Sequence, residues 1–126
     1  GNVLQLEPGV YRYSPSGHSL DRVIEGDVRA DLAEAALMQM WMANGAMMIV
    51  ITAVYERTTG RYGERGIRYV HMEAGHAAQN LYLQATAMEL GTVVVGAFQD
   101  DQVAEILQLP QEEKPLYLIP VGKIQG

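Results

Sequence analysis

Residues 65–90 read "RGIRYVHMEAGHAAQNLYLQATAMEL". The stretch holds no proline, and Ile67, Val70, Ala74, Ala78, Leu81, Ala85 and Met88 recur at three- and four-residue steps. That period marks one long amphipathic helix of about 24 residues, on the order of 36 Å. Gly75, Ala77, Ala78, Ala85 and Ala87 keep its surface low, so neighbouring elements can approach closely. The spacing predicts a central helix, with Gly91 as the C′ residue that ends it.

Strand signals flank this helix on both sides. "AMMIVITAVY", 46–55, is a continuous apolar, β-branched run that suits a strand buried on both faces. "TVVVGAF", 92–98, and "KPLYLIPVGK", 114–123, read as further strands, the first of them buried. Nearer the N-terminus, "PGVYRYSPSGHSLDRVIEGD", 8–27, carries Pro15 and Gly17 between two apolar stretches and reads as a β-hairpin. "DVRADLAEAALMQM", 27–40, puts Val28, Leu32, Ala35, Ala36 and Met40 on one helical face, with Asp27 as N-cap. "DDQVAEILQL", 100–109, is a short helix with Asp100 as its cap. The order β-β-α-β-α-β-α-β implies an α/β (α+β) layered domain, with strand direction left open.

A chain of 126 residues is the size of one domain. It has no cysteine, which excludes disulfides, thiolate metal sites and a cysteine nucleophile and fits a reducing cytoplasm. The net charge of −6 argues against nonspecific binding to nucleic acid or to an anionic membrane. No apolar run approaches the roughly 20 residues that span a bilayer, and "GNVLQLEPGVYRY" shows no signal-peptide pattern.

Against that acidic background, Arg57, Arg61, Arg65 and Arg68 place four of the nine basic residues within "ERTTGRYGERGIRY", 56–69. They either dress a solvated loop or form an anion site. Gly60, Gly63 and Gly66 make the segment permissive, and Arg61 sets a cation beside the Tyr62 phenol. A neighbouring cation favours the phenolate, which makes Tyr62 a candidate general acid/base. Gly96 and Ala97, between a strand and a helix start, either permit a tight bend or offer backbone N–H groups to a flat ligand. Gly122 sits in a similar position beside cationic Lys123.

Metal chemistry is not indicated. His71 and His76 in "HMEAGH" are five apart, about 140° around a helix, so both cannot face one ion. Glu73 and His76 form a single E-x-x-H, whereas a di-iron site needs a second copy and further carboxylates. The cluster Met38, Met40, Trp41, Met42, Met47 and Met48 reads as core filling or a subunit contact. No nucleophile elbow, phosphate loop or dinucleotide fingerprint occurs.

Taken in order and spacing, "GVYRY", "ERTTGRYGERGIRYVHMEAGHAAQNLYLQATAMELGTVVVGAFQDD" and "KPLYLIPVGK" resemble the nitroreductase superfamily, and within it the SagB-type dehydrogenases that include azoline oxidases. The resemblance implies non-covalent FMN, an intertwined homodimer with flavin at the interface, a small-molecule or peptide substrate, and hydride transfer at flavin N5. It implies that the Lys-Tyr pair used near the flavin falls on Arg61 and Tyr62. The backbone facing the flavin N5 and O4 edge falls on Gly96 and Ala97, next to Phe98, and a phosphate-binding cation on Lys123. The chain departs from the family in two respects. Arg61 stands in place of the lysine, and arginine does not readily release its proton, so proton transfer rests on Tyr62. The N-terminal half with its flavin-phosphate motif is not in the sequence. Residues 1–126 therefore read as the C-terminal part of a nitroreductase-like domain that pairs with a second copy or with a complementary N-terminal half. A non-catalytic dimerisation or interaction module that no longer binds FMN is the alternative. Arginines not bordering a ligand are expected to pair with acids of the chain.

Overall fold

The computed structural model describes residues 1–125. Its organising element is a three-stranded antiparallel sheet in the order β3-β5-β4, with β3 Met47–Val54, β4 Leu90–Thr92 and β5 Glu113–Lys123. Successive side chains on a strand point to opposite faces, and β5 uses this to serve two cores. Leu118 is fully buried on one face, against Leu32, Ala33, Ala35 and Ala36 of the α1 region, Met42, Val95, Val103 and Leu107. On the other face Ile119 and Val121 pack with Ala78 of the long helix. Thus α1, Arg29–Ala35, and α4, Asp100–Ile106, cover one side of the sheet, while α3, Arg65–Ala87, covers the other.

The long helix over 65–87 agrees with the 3.6-residue period: Gly66, Val70, Ala74, Ala78 and Ala85 form its buried stripe. Its end differs from expectation. Glu89, at φ 59°, takes the left-handed position, and Gly91 lies inside β4 opposite Gly122. The hairpin is also present, as β1 Gly9–Ser14 paired antiparallel with β2 Ser19–Glu25.

Several expected elements are shorter than the sequence suggests. The helix expected over 27–40 stops at Ala35, because Leu37 and Met38 turn to φ 57° and 59°. That reversal leads into a 3-10 turn, Met40–Asn44, which delivers Met42 fully buried into the core. Burial of Met42 outweighs helix propensity here. Asp27 is not the N-cap, which is Val28; its carboxylate instead accepts from the Arg29 amide and side chain. Arg29 also donates to the Gly45 carbonyl at 2.6 Å, tying the start of α1 to the chain entering β3. Asp100 is likewise the first helical residue of α4 and not its cap, which is Gln99. The run 46–55 forms β3 as expected, but as a half-buried edge strand.

The strand expected over 92–98 is broken, and the cause lies across the sheet. Thr92 pairs with Val121, and Val95 exchanges two hydrogen bonds with Leu118 at 2.9 Å, in one continuous register. Hydrogen-bonded pairs in an antiparallel ladder recur every second residue, so Val93 would be the next such partner of residue 120. That residue is Pro120, which has no N–H to give. The ladder opens between Thr92 and Val95, and the Thr92 hydroxyl donates to the Pro120 carbonyl at 2.8 Å.

The arginine segment is helical and not a loop: α2, Glu56–Tyr62, precedes α3. Gly63, at φ 62°, separates the two helices in a conformation that disfavours any side chain. A Cβ on Gly66 would stand 3.0 Å from the Thr59 backbone, so glycine allows α3 to cross α2 closely.

Candidate functional site

The sequence candidates fall at three places along the sheet. Arg61 and Tyr62 close α2, which leaves β3 at the end paired with Glu113. The Arg61 guanidinium carbon lies 5.4 Å from the centre of the Tyr62 ring, a cation–π arrangement. Tyr69 of α3 meets the same ring edge-on, with centroids 5.3 Å apart. The phenol of Tyr62 is half exposed. Gly96, Ala97 and Phe98 occupy the turn between Val95 and α4, near the middle of β5. Lys123 ends β5 and is exposed, opposite Leu90.

One chain does not gather these residues into one pocket. Leu118 and Lys123 are five residues apart on a strand, roughly 17 Å. Glu113 and Lys123 are ten apart, roughly 33 Å, and α2 is only about 10 Å long. Arg61 and Tyr62 therefore belong to one end of the molecule and Lys123 to the other.

The 96–98 turn has a specific geometry. It is held on one side by the Val95–Leu118 bridge and on the other by the Gln99 amide, which donates to the Ala35 carbonyl at 2.8 Å. The Gln39 side chain donates to the Ala97 carbonyl at 3.4 Å. Among the described residues, no protein group accepts from the N–H of Gly96, Ala97 or Phe98. Gly96 and Ala97 are exposed, while Phe98 packs against the core beneath. The arrangement is a short run of amide donors on a rigid base.

Two clusters were missed at the sequence level. The phenol oxygen of Tyr55 lies 2.6 Å from His71 Nε2, and the two rings meet edge-on. Burial, and then the negative charge of Asp100, raise the Tyr55 phenol above its ordinary value and keep it protonated. The second cluster centres on Glu113, which is buried. It accepts from both terminal nitrogens of Arg12, at 3.1 and 3.3 Å, and from the Thr52 hydroxyl at 2.6 Å. Burial pushes its carboxyl up, but the hydrogen bonds from Thr52 and Arg12 and the charges of Arg12 and Arg57 outweigh this and hold it below the ordinary value. Neither cluster has a local motif. Residues 52 and 113 meet through strand register, and 55 and 71 through the crossing of two elements.

The four clustered arginines do not behave as expected: among the described residues none forms an ion pair. No group of three or more acidic or histidine side chains that could hold a metal occurs among them either. Among the described residues no helix is long and apolar enough to cross a membrane. A cleft of about 440 Å³ runs between β1 and the free edge of β3, with Arg12 and Glu113 at one part of its wall. None of the sequence candidates lines it.

Residues 3–123 match the nitroreductase family. A protein of Methanocaldococcus jannaschii named as a nitroreductase is 52% identical over 122 residues, covering 97% of this chain and 61% of its own length. A crystal structure of a protein named as a nitroreductase from Anabaena variabilis superposes with a TM-score of 0.90 at 34% identity, over 97% of this chain and 25% of that one. The NADPH:FMN oxidoreductase of Vibrio harveyi, solved in complex with NAD+, superposes with a TM-score of 0.66 at 26% identity, over 78% of this chain and 46% of that one. The chain thus spans less than two thirds of the length of each of these proteins.

Proposed function

Because this chain belongs to the nitroreductase family, we propose that it is the C-terminal part of an FMN-dependent oxidoreductase of the SagB-type branch, exchanging a hydride between a small-molecule or peptide substrate and flavin N5. On this reading 1–126 is a single domain. The observation that supports it is the 96–98 turn, whose unpaired N–H groups stand on a rigid, exposed base. Such donors suit the electron-rich edge of a flavin ring, where they stabilise developing negative charge. They are the feature of this chain that fits the cofactor. Lys123 would offer its ammonium to the flavin phosphate.

When bound, FMN supplies the two-electron chemistry; the protein supplies position and charge. Arg61 stays protonated and acts as a fixed cation over the Tyr62 ring, leaving the Tyr62 phenol to move the proton. Lys123 and Tyr62 lie at opposite ends of the sheet, so a complete site takes groups from a second copy, as in a homodimer, or from a complementary N-terminal half. The exposed Ile67, Met72 and Leu83 on α3, and Met88 just past its end, favour such an association.

The test is a titration of the purified chain with FMN, followed by the flavin's visible absorption. Saturable binding with a perturbed band is expected, and Ala97→Pro, which deletes one turn donor, is expected to weaken it tenfold or more. Absence of saturable binding by the unaltered chain overturns the reading. The exposed Met72 and Leu83 of α3 would then favour the second reading, a non-catalytic interaction module that associates without flavin.

A further inference from the structure

Strand β3 is the long open edge of the sheet, whereas β4, at the other edge, has only three residues. Its backbone directions follow from the register. Leu118 exchanges both hydrogen bonds with Val95, so its N–H and C=O point away from β3. Val50, opposite Leu118, therefore turns its own N–H and C=O outward to the free edge, and Met48, two residues earlier, does the same. Among the described residues neither has a hydrogen-bond partner there. The next outward carbonyl, that of Ala46, has one: it accepts from the Asn2 amide at 2.7 Å. Pairing on this edge thus starts beside Ala46 and stops where β3 begins.

The cleft of about 440 Å³ lies along the unpaired stretch. Its two arginines are engaged with acids of the chain, Arg29 with Asp27 near the start of β3 and Arg12 with Glu113 near its end. An anionic ligand would find neither of them free. Between the two ion pairs the wall is apolar, with Val10, Leu32, Met48, Val50, Leu107 and Leu109. Edges that stay open to water carry charges or prolines, and "MMIVI", 47–51, has none. Unpaired backbone groups beside an apolar wall suit an extended chain, which brings main-chain hydrogen bonds and alternate side chains together.

We propose that the free edge of β3 receives one extended apolar strand from the complementary N-terminal half, hydrogen-bonded to Met48 and Val50. This rests on the reading of residues 1–126 as the C-terminal part of a nitroreductase, and it accords with the 61% of the M. jannaschii protein's length that the chain covers. Residues placed opposite Met48 and Val50 share their face of the sheet, which packs on the Leu32 and Leu118 core. They are therefore apolar, and they close the cleft.

To test this, the chain is co-expressed with the part of the M. jannaschii protein outside the matched 61%, and backbone amide exchange is followed in the purified complex and in the chain alone. In the chain alone, the Met48 and Val50 amides are expected to exchange at least tenfold faster than those of Ile49 and Ile51, which face β5. In the complex they slow by tenfold or more, while Ile49 and Ile51 change little. Val50→Pro removes one outward N–H, which an edge strand tolerates, and is expected to weaken the complex tenfold or more with Ile49 and Ile51 still protected. A complex in which Met48 and Val50 exchange as they do in the chain alone, or one indifferent to Val50→Pro, overturns the strand and leaves the functional reading standing. Protection that is already present in the chain alone and is lost on dilution gives the edge to a second copy and overturns the proposal. Co-expression without a complex overturns it together with the reading of this chain as one part of a longer enzyme.

Discussion

At the scale of single residues, Glu113 shows how a side chain without a motif becomes indispensable. Its two carboxylate oxygens accept from the half-exposed Arg12 and from the partly buried Thr52 hydroxyl, so replacing it weakens or removes the acceptor of both. Glu113→Gln is expected to destabilise the chain by about 1–3 kcal/mol, read as a lower urea midpoint. The pH dependence follows from the direction of its shift. The folded carboxyl lies below the ordinary 4.5, so its stabilisation is complete above that value. It is lost as pH falls through the lowered folded value. Urea midpoints measured from pH 6 down to pH 3 should therefore fall for the unaltered chain and fall less for Glu113→Gln. Parallel curves would show that Glu113 is not the titrating group.

At the scale of elements, backbone chemistry decides where helices and strands begin and end. Helix α3 lies against α2 because Gly66 has no Cβ; Gly66→Ala places a methyl 3.0 Å from the Thr59 backbone. A loss of roughly 1–3 kcal/mol is expected, typical of overpacking at a tight contact, and thermal unfolding measures it. Pro120 acts in the opposite sense by withholding a donor. Pro120→Val should close the ladder between Val93 and residue 120, so that the new amide becomes protected from hydrogen exchange. An unprotected amide there would mean that the opening of β4 has another cause. The long helix and the hairpin were legible because their signals are local: a 3.6-residue period and turn formers between apolar runs. Helix α2 was not, because "ERTTGRY" combines Gly60 with two threonines, all weak helix formers, and only the close approach of Gly66 to the Thr59 backbone shows its contact with α3.

At the scale of the whole molecule, the sheet is small and α3 carries exposed apolar side chains among polar ones, with Met72 and Leu83 more than half exposed. Met72 and Leu83 lie on one side of the helix, eleven residues apart, where a second chain would cover both. Light scattering is expected to find an oligomer, and Met72→Glu together with Leu83→Glu should shift it toward monomer; a monomer before substitution would show that α3 needs no partner. The candidate site repeats the same division. Gly96, Ala97, Tyr62 and Lys123 were legible as residue types suited to the roles proposed for them, and family membership is carried by the residues themselves. Their separation along β5 was not, nor was the meeting of Tyr55 with His71 or of Glu113 with Arg12 and Thr52. Sequence by itself determined the elements whose hydrogen bonds and periodic contacts close within a few residues, together with the chemistry each side chain can offer. Tertiary structure alone decided which distant donors and acceptors meet, because strand register and helix crossing are fixed by burial across the sheet, where a partner such as Pro120 acts on a strand some 25 residues away.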